Sequence, residues 1–184
     1  MTKASVEQPD EMLVVEAILG NLDAFNELAT RYRAAVIRTA QAIVGREFAE
    51  DVAQDALLLA FKALPSIEEP TRFAAWLSAI TRHRAMRFGK QESRLRSRNV
   101  ALDEVLLERV GALSQPPAGE SGNEELRRAL ETVPGDYALV LKLRFLDEMP
   151  LKRIAAFLGA PLSTVKWRVH QGKKLLRAKL EPVQ

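Results

Sequence analysis

The sequence predicts an all-α fold: two small helical modules joined by a flexible linker. Three observations carry that expectation. Apolar residues recur at i, i+3 and i+4 along most of the 184 residues, with no convincing strand alternation. The stretch SQPPAGESGN concentrates proline, glycine and polar residues midway along the chain, as a connection between modules does. Charge is sorted into blocks although the formal net charge is only +3.

Taken in order, Met12, Val15, Ile18 and Leu19 form a short apolar face that predicts a first helix. Phe25, Leu28, Tyr32, Val36 and Ala40 predict a second, with Asp23 near its start and Gly45 breaking it. A third runs from about Ala49 to Leu64 and stops at Pro65. PSIEEPT reads as a loop, since it holds two prolines and little apolar content. FAAWLSAITRHRAMRF is a fourth helix ending near Gly89. From Lys90 to about Asn123 the character turns to linker, with ALDEVLLERV a transient helix inside it. ELRRALETV, YALVLKLRFL, LKRIAAFL and the closing basic segment give four more helical patterns. The expected divisions are a tail over 1–9, a first module over 10–92, a linker over 93–123 and a second module over 124–184.

Composition narrows the chemistry. Hydrophobic residues make up 47% of the chain, enough to fill a core. There is no cysteine, so disulfides and thiolate metal sites are excluded. His83 and His170 are the only histidines, which leaves no His-based zinc site. Neither a signal peptide nor a long apolar run is present, so a soluble cytoplasmic protein is expected. No P-loop, metal-spaced carboxylate pair or nucleophile with a matched base stands out, so neither catalysis, nor a cofactor, nor a metal is expected.

LKRIAAFLGAPLSTVKWRV has the layout of a helix-turn-helix. Ile154, Ala155 and Leu158 make the buried side of the first helix, and Gly159 sits where the chain reverses with positive φ. Pro161 opens the next helix, and Val165 and Val169 pack back. Ser163, Thr164, Lys166, Trp167, His170, Gln171 and Lys174 then point outward, with Arg168 and Lys173 adding charge. Hydroxyls, an amide and cations without an acid suit a major-groove recognition helix.

In the first module, Val52, Ala56, Ala60 and Ala63 mark an inward stripe, flanked by Leu57, Phe61 and Leu64. Asp51, Gln54, Asp55 and Leu58 fall on the outer one, an acidic surface with an exposed leucine that fits a basic helical partner. On the next helix Phe73, Trp76, Leu77 and Ile80 lie beside Arg82, His83, Arg84 and Arg87, a combination that stacks bases and grips phosphates.

DAFNELATRYR, AEDVAQDALLLAFKAL, FAAWLSAITRHRA and the terminal helix-turn-helix, in that order, resemble the bacterial extracytoplasmic-function sigma factors. The resemblance spans about residues 10 to 180 and implies sigma regions 2 and 4. It implies that Asp51, Gln54, Asp55 and Leu58 dock on the β′ subunit of core RNA polymerase, whose β subunit is a further partner. It implies that the loop from Pro65 to Phe73, including Ser66, Thr71 and Arg72, captures a base from the minus-ten element of promoter DNA. Trp76, Arg82, His83, Arg84 and Arg87 would line the neighbouring strand. The helix from about Leu162 to Leu176 would read the minus-thirty-five element through Ser163, Thr164, Lys166, Trp167, Arg168, His170, Gln171, Lys173 and Lys174. An anti-sigma factor is a further partner that the family allows. His83, Arg87, Pro161, Trp167 and PSIEEPT depart from residues usual in the family, which leaves the promoter sequence open. The competing reading is a stand-alone dimeric helix-turn-helix regulator that grips a palindrome unaided.

Overall fold

The computed structural model describes residues 7–99 and 128–180, with side chains described to 95 in the first stretch and to 178 in the second. Among these residues every regular element is helical. The first module comprises α1 (Asp10–Ile18), α2 (Leu22–Val44), α3 (Arg46–Ala63) and α4 (Phe73–Asn99), with 3₁₀ turns at Leu64–Ser66 and Pro70–Arg72. The second begins with helical residues 128–131 and continues through α5 (Gly135–Leu141), a π turn (Lys142–Leu146), α6 (Leu151–Leu158) and α7 (Leu162–Leu180).

α2 is the spine of the first module. Asn21, not Asp23, caps it: the Asn21 side chain accepts from the backbone N–H groups of Asp23 and Ala24. Such a cap stabilises a helix by about 1 kcal/mol. Phe25, Leu28, Tyr32, Val36 and Ala40 are buried along α2, following the helical spacing. They meet Ala49, Val52, Ala53, Ala56 and Ala60 of α3 and Ala74, Leu77 and Ala85 of α4. The alanines allow three helices to approach closely.

Three expectations change. On α1 the inward residues are Leu13 and Val14, whereas Met12, Val15, Ile18 and Leu19 are exposed, Leu19 to 82%. α1 is apolar nearly all round, so periodicity cannot choose the face that α2 covers. α4 does not end at Gly89 but continues to Asn99, because KQESRLRSRN consists of residues that a helix tolerates well. Hence 93–99 of the expected linker are helical, while its remainder, including ALDEVLLERV, lies outside the described residues, as do residues 1–6 of the tail. Lastly, Phe157 is fully buried on α6, and Leu158 only partly.

The modules touch. α6 lies across α4, and a continuous core runs from Tyr32 and Phe73 to Ile154 and Phe157. The Tyr32 and Phe157 rings stack with centroids 5.9 Å apart and planes inclined by 20°. Polar contacts surround this centre. Arg38 holds Asp147 through Nε–Oδ2 at 2.9 Å and Nη2–Oδ1 at 3.0 Å, Arg46 meets Glu131 at 3.3 Å, and Arg153 pairs with Glu7. Burial, followed by repulsion from Arg38, lowers the pKa of the neighbouring Lys142.

Candidate nucleic-acid interface

The α6–α7 turn is built by local chemistry. Gly159 adopts φ 62°, and its N–H donates to the Ala156 carbonyl while the Ala160 N–H reaches back to Ala155. This pair of bonds satisfies carbonyls that the helix end leaves over, and the left-handed residue costs nothing as glycine. The backbone N–H of Val165 donates to the Pro161 carbonyl at 3.1 Å, starting α7 directly after the reversal. Val165 is fully buried against α6, which fixes the rotation of α7.

That rotation exposes Ser163, Lys166, Trp167, His170, Lys173 and Lys174, with Thr164 and Gln171 half-buried at the margin. Trp167 is 52% exposed, its ring tilted against Tyr137 at 5.9 Å, so one face is braced and the rest stands free. Two of the expected cations are already engaged. Arg168 pairs with Asp136 at 3.4 Å, and the Lys173 ammonium lies 4.6 Å from the centre of the Phe145 ring. A tight crossing supports the helix from behind: a Cβ placed at Gly172 would come 3.0 Å from Leu141 Cδ1.

In the first module the expected residues divide. Phe73 is only 1% exposed, packed edge-on against Tyr32, and so is part of the core and closed to an incoming base. Trp76 is half-buried at a centroid distance of 6.0 Å from Phe73. It also walls a cleft of about 430 Å³ with Ser66, Ile67, Glu68, Glu69, Arg72, Ala75 and Ala79. Pro65, Ser66, Thr71 and Arg72 are exposed around it. Arg82, His83 and Arg87 are exposed on α4, and Lys90 and Arg94 prolong the basic stripe from His83 at helical spacing. Arg82 donates to the Ser78 hydroxyl at 2.6 Å, which draws its stem down along the helix.

Asp51, Gln54 and Leu58 stand exposed on α3 as the spacing requires. Asp51 and Gln54 also edge a groove of about 440 Å³ between α2 and α3. Asp55 differs: its carboxylate is held by Arg84. The sequence reading missed an apolar cleft of about 250 Å³ in the second module, formed by Leu130, Leu141, Phe145, Leu146, Lys173 and Leu176. Its residues come from three separate segments, so no single periodic stripe announces it. Among the described residues, no group of three acidic or histidine side chains is placed to hold a metal.

Two helical modules, one carrying a helix-turn-helix with an acid-free outer surface, are the architecture of a DNA-binding protein. Residues 28–95 match the sigma-70 region 2 family and residues 123–176 match sigma-70 region 4. The chain is 30% identical to the ECF RNA polymerase sigma-E factor of Escherichia coli K12 over 97% of its own length and 98% of the relative's. It is 24% identical to the RNA polymerase sigma factor SigV of Bacillus subtilis, with 95% of each chain covered. Among solved structures it is similar to CnrH in complex with the cytosolic domain of CnrY, at a TM-score of 0.56 and 25% identity over 94% of this chain and 97% of that one. The fold is also that of RpoE from Bartonella quintana, solved with the anti-sigma factor NepR, at a TM-score of 0.52 and 22% identity over 87% and 98%. This chain belongs to the extracytoplasmic-function sigma factors of RNA polymerase. It is accordingly a factor that directs promoter-specific transcription, and the stand-alone dimeric regulator is not favoured. No helix among the described residues is long and apolar enough to cross a membrane.

Proposed function

We propose that the chain divides promoter recognition among three surfaces. Asp51, Gln54 and Leu58 on α3 dock on the β′ subunit of core polymerase, with Asp55 at the edge of that ridge. The 65–72 loop and Trp76 receive an unpaired minus-ten base, while Arg82, His83, Arg87 and the pair-bound Arg84 follow the adjoining backbone. α7 enters the major groove of the minus-thirty-five element. Lys166, Trp167, His170 and Gln171 read base edges there, and Ser163, Thr164, Arg168, Lys173 and Lys174 position the helix on phosphates. The first module runs from residue 10 along the length of α4, past the expected boundary at 92, and the second covers 124–184. The chain works without catalysis of its own, in the cytoplasm where polymerase resides. An anti-sigma factor is an additional partner, as with the RpoE relative solved with NepR.

The observation that supports this best is the exposed acid-free row on α7, set by the burial of Val165. Each good base pair contact discriminates by about 1–3 kcal/mol, and the cations supply a sequence-independent, salt-sensitive term. Joining both modules on polymerase makes the second DNA contact intramolecular. The experiment is transcription in vitro with core polymerase and a promoter selected from a random library. Promoter-dependent RNA that requires the chain is expected. Tight palindrome binding by the free chain, with no such RNA, would overturn the proposal.

A further inference from the structure

α7 presents one hydrocarbon surface among polar ones. Its exposed row holds Ser163, Lys166, His170, Lys173 and Lys174, and Trp167 is the single large apolar side chain on it. At 52% exposure the indole leaves about half of a large ring in water until a partner covers it. The ring is nevertheless not free to swing. Tyr137 of α5 lies against it with centroids 5.9 Å apart and planes inclined by 54°. A sequence neighbour of each is engaged as well, since Asp136 pairs with Arg168 at 3.4 Å. About a turn further along α7, the same α5 approaches closely at Gly172, where a Cβ would meet Leu141 Cδ1 at 3.0 Å. α5 therefore grips α7 at two levels, which sets both the rotation of the helix and the stance of the indole. An aromatic held in this way offers contact area with little conformational entropy left to lose.

The chemistry of the major groove limits what the ring can meet there. Each base pair offers its own set of donors and acceptors, and thymine alone adds a methyl group. The hydroxyl of Ser163, the imidazole of His170, the amide of Gln171 and the ammonium groups of Lys166 and Lys174 suit the donors and acceptors. None of these groups ends in a hydrocarbon surface. The Trp167 ring does. Its N–H only donates, so it gives a single hydrogen bond and cannot match the paired groups of a purine edge.

We propose that Trp167, set in place by Tyr137, recognises the 5-methyl group of one thymine in the minus-thirty-five element. Tyr137 is a positioning residue that acts through the indole. The assignment rests on the sigma-factor reading above and names the base feature that α7 selects. Taking one methyl group out of water changes affinity about fourfold. The polar residues of the row read hydrogen-bonding groups, and the indole supplies the one contact that they lack.

Deoxyuridine in place of thymidine removes the methyl group and leaves every hydrogen-bonding group as it was. Holoenzyme assembled from the full chain and core polymerase is titrated with its selected promoter, each minus-thirty-five thymine on either strand being replaced in turn. At one position uracil should weaken wild-type binding about fourfold. Trp167→Ala should bind the two probes alike. Tyr137→Ala should shrink the difference, and Tyr137→Phe, which keeps the ring, should retain it. Partial unfolding lowers binding to both probes together and leaves their ratio, so a merely structural loss does not imitate this pattern. A ratio near one at every thymine for the wild type, a selected element without thymine, or a fourfold ratio that survives Trp167→Ala would overturn the assignment. An undiminished ratio in Tyr137→Ala would overturn the positioning role. If the wild type gives promoter-dependent RNA while the ratio is flat, the thymine assignment alone fails; if it gives no such RNA, the sigma-factor reading fails and the assignment falls with it.

Discussion

Arg84 on α4 donates from Nε to Asp55 Oδ2 on α3 at 3.1 Å, and its Nη2 binds the same oxygen. The pair ties the acidic ridge to the basic stripe, so one side chain from each of two supposed interfaces is engaged at home. Asp51, one turn earlier, is exposed and forms no ion pair among the described residues. Asp51→Ala should leave stability within about 0.5 kcal/mol of wild type while weakening core-polymerase recovery about tenfold. Asp55→Ala should cost about 0.5–1 kcal/mol in urea unfolding, since its side chain is half exposed, and release Arg84. Quantitative pull-down and urea titration on the same preparations separate the two.

Two helix-interior glycines should answer oppositely to substitution. Gly89 has no atom within 4 Å of a built Cβ, so Gly89→Ala should stabilise the chain by about 0.5–1 kcal/mol. Gly172 faces Leu141 at 3.0 Å, and Gly172→Val should destabilise the second module by about 1–3 kcal/mol through overpacking. Thermal unfolding checks both signs.

Tyr32 titrates abnormally for a definite reason. Burial, then its hydrogen bond to Asp10, raises the phenol pKa above its ordinary 10.0. The folded chain therefore keeps the proton after the unfolded chain has lost it. The stability held by this group is complete below pH 10 and declines as pH rises through the folded value. Tyr32→Phe should lower stability at pH 7 by about 1 kcal/mol for the lost hydrogen bond. It should also flatten the decline above pH 10, as read by urea midpoints at successive pH values.

Base readers and phosphate binders on α7 should separate by salt. Lys174→Ala is expected to reduce the salt slope of holoenzyme binding by about one unit, with base preference unchanged. His170→Ala should instead relax preference at one minus-thirty-five position by about 1–3 kcal/mol with little change in slope. Binding isotherms at several salt concentrations on matched and mismatched promoters distinguish them.

Much of the second module was legible because its signals are local. Gly159 announces the left-handed turn, Pro161 sets up the next helix, and Val165 fixes its rotation, each within one or two turns of its partner. The outer residues of α7 followed by exclusion. Phe73 misled for the complementary reason. An aromatic beside cations reads equally as a stacking platform or as core, and only Tyr32 against its edge decides. Asp55 was likewise placed on the right stripe, yet its partner lies 29 residues away.

By itself, then, the chain's order of residues determined the helices, the reversal before α7 and the sorting of charge, since backbone preference and helical period act over a few residues. Tertiary structure decided which side of α1 faces inward, that Phe73 is closed to solvent, and that Arg38 meets Asp147. Burial and pairing are relations between surfaces, and a surface has no partner until the chain has brought one to it.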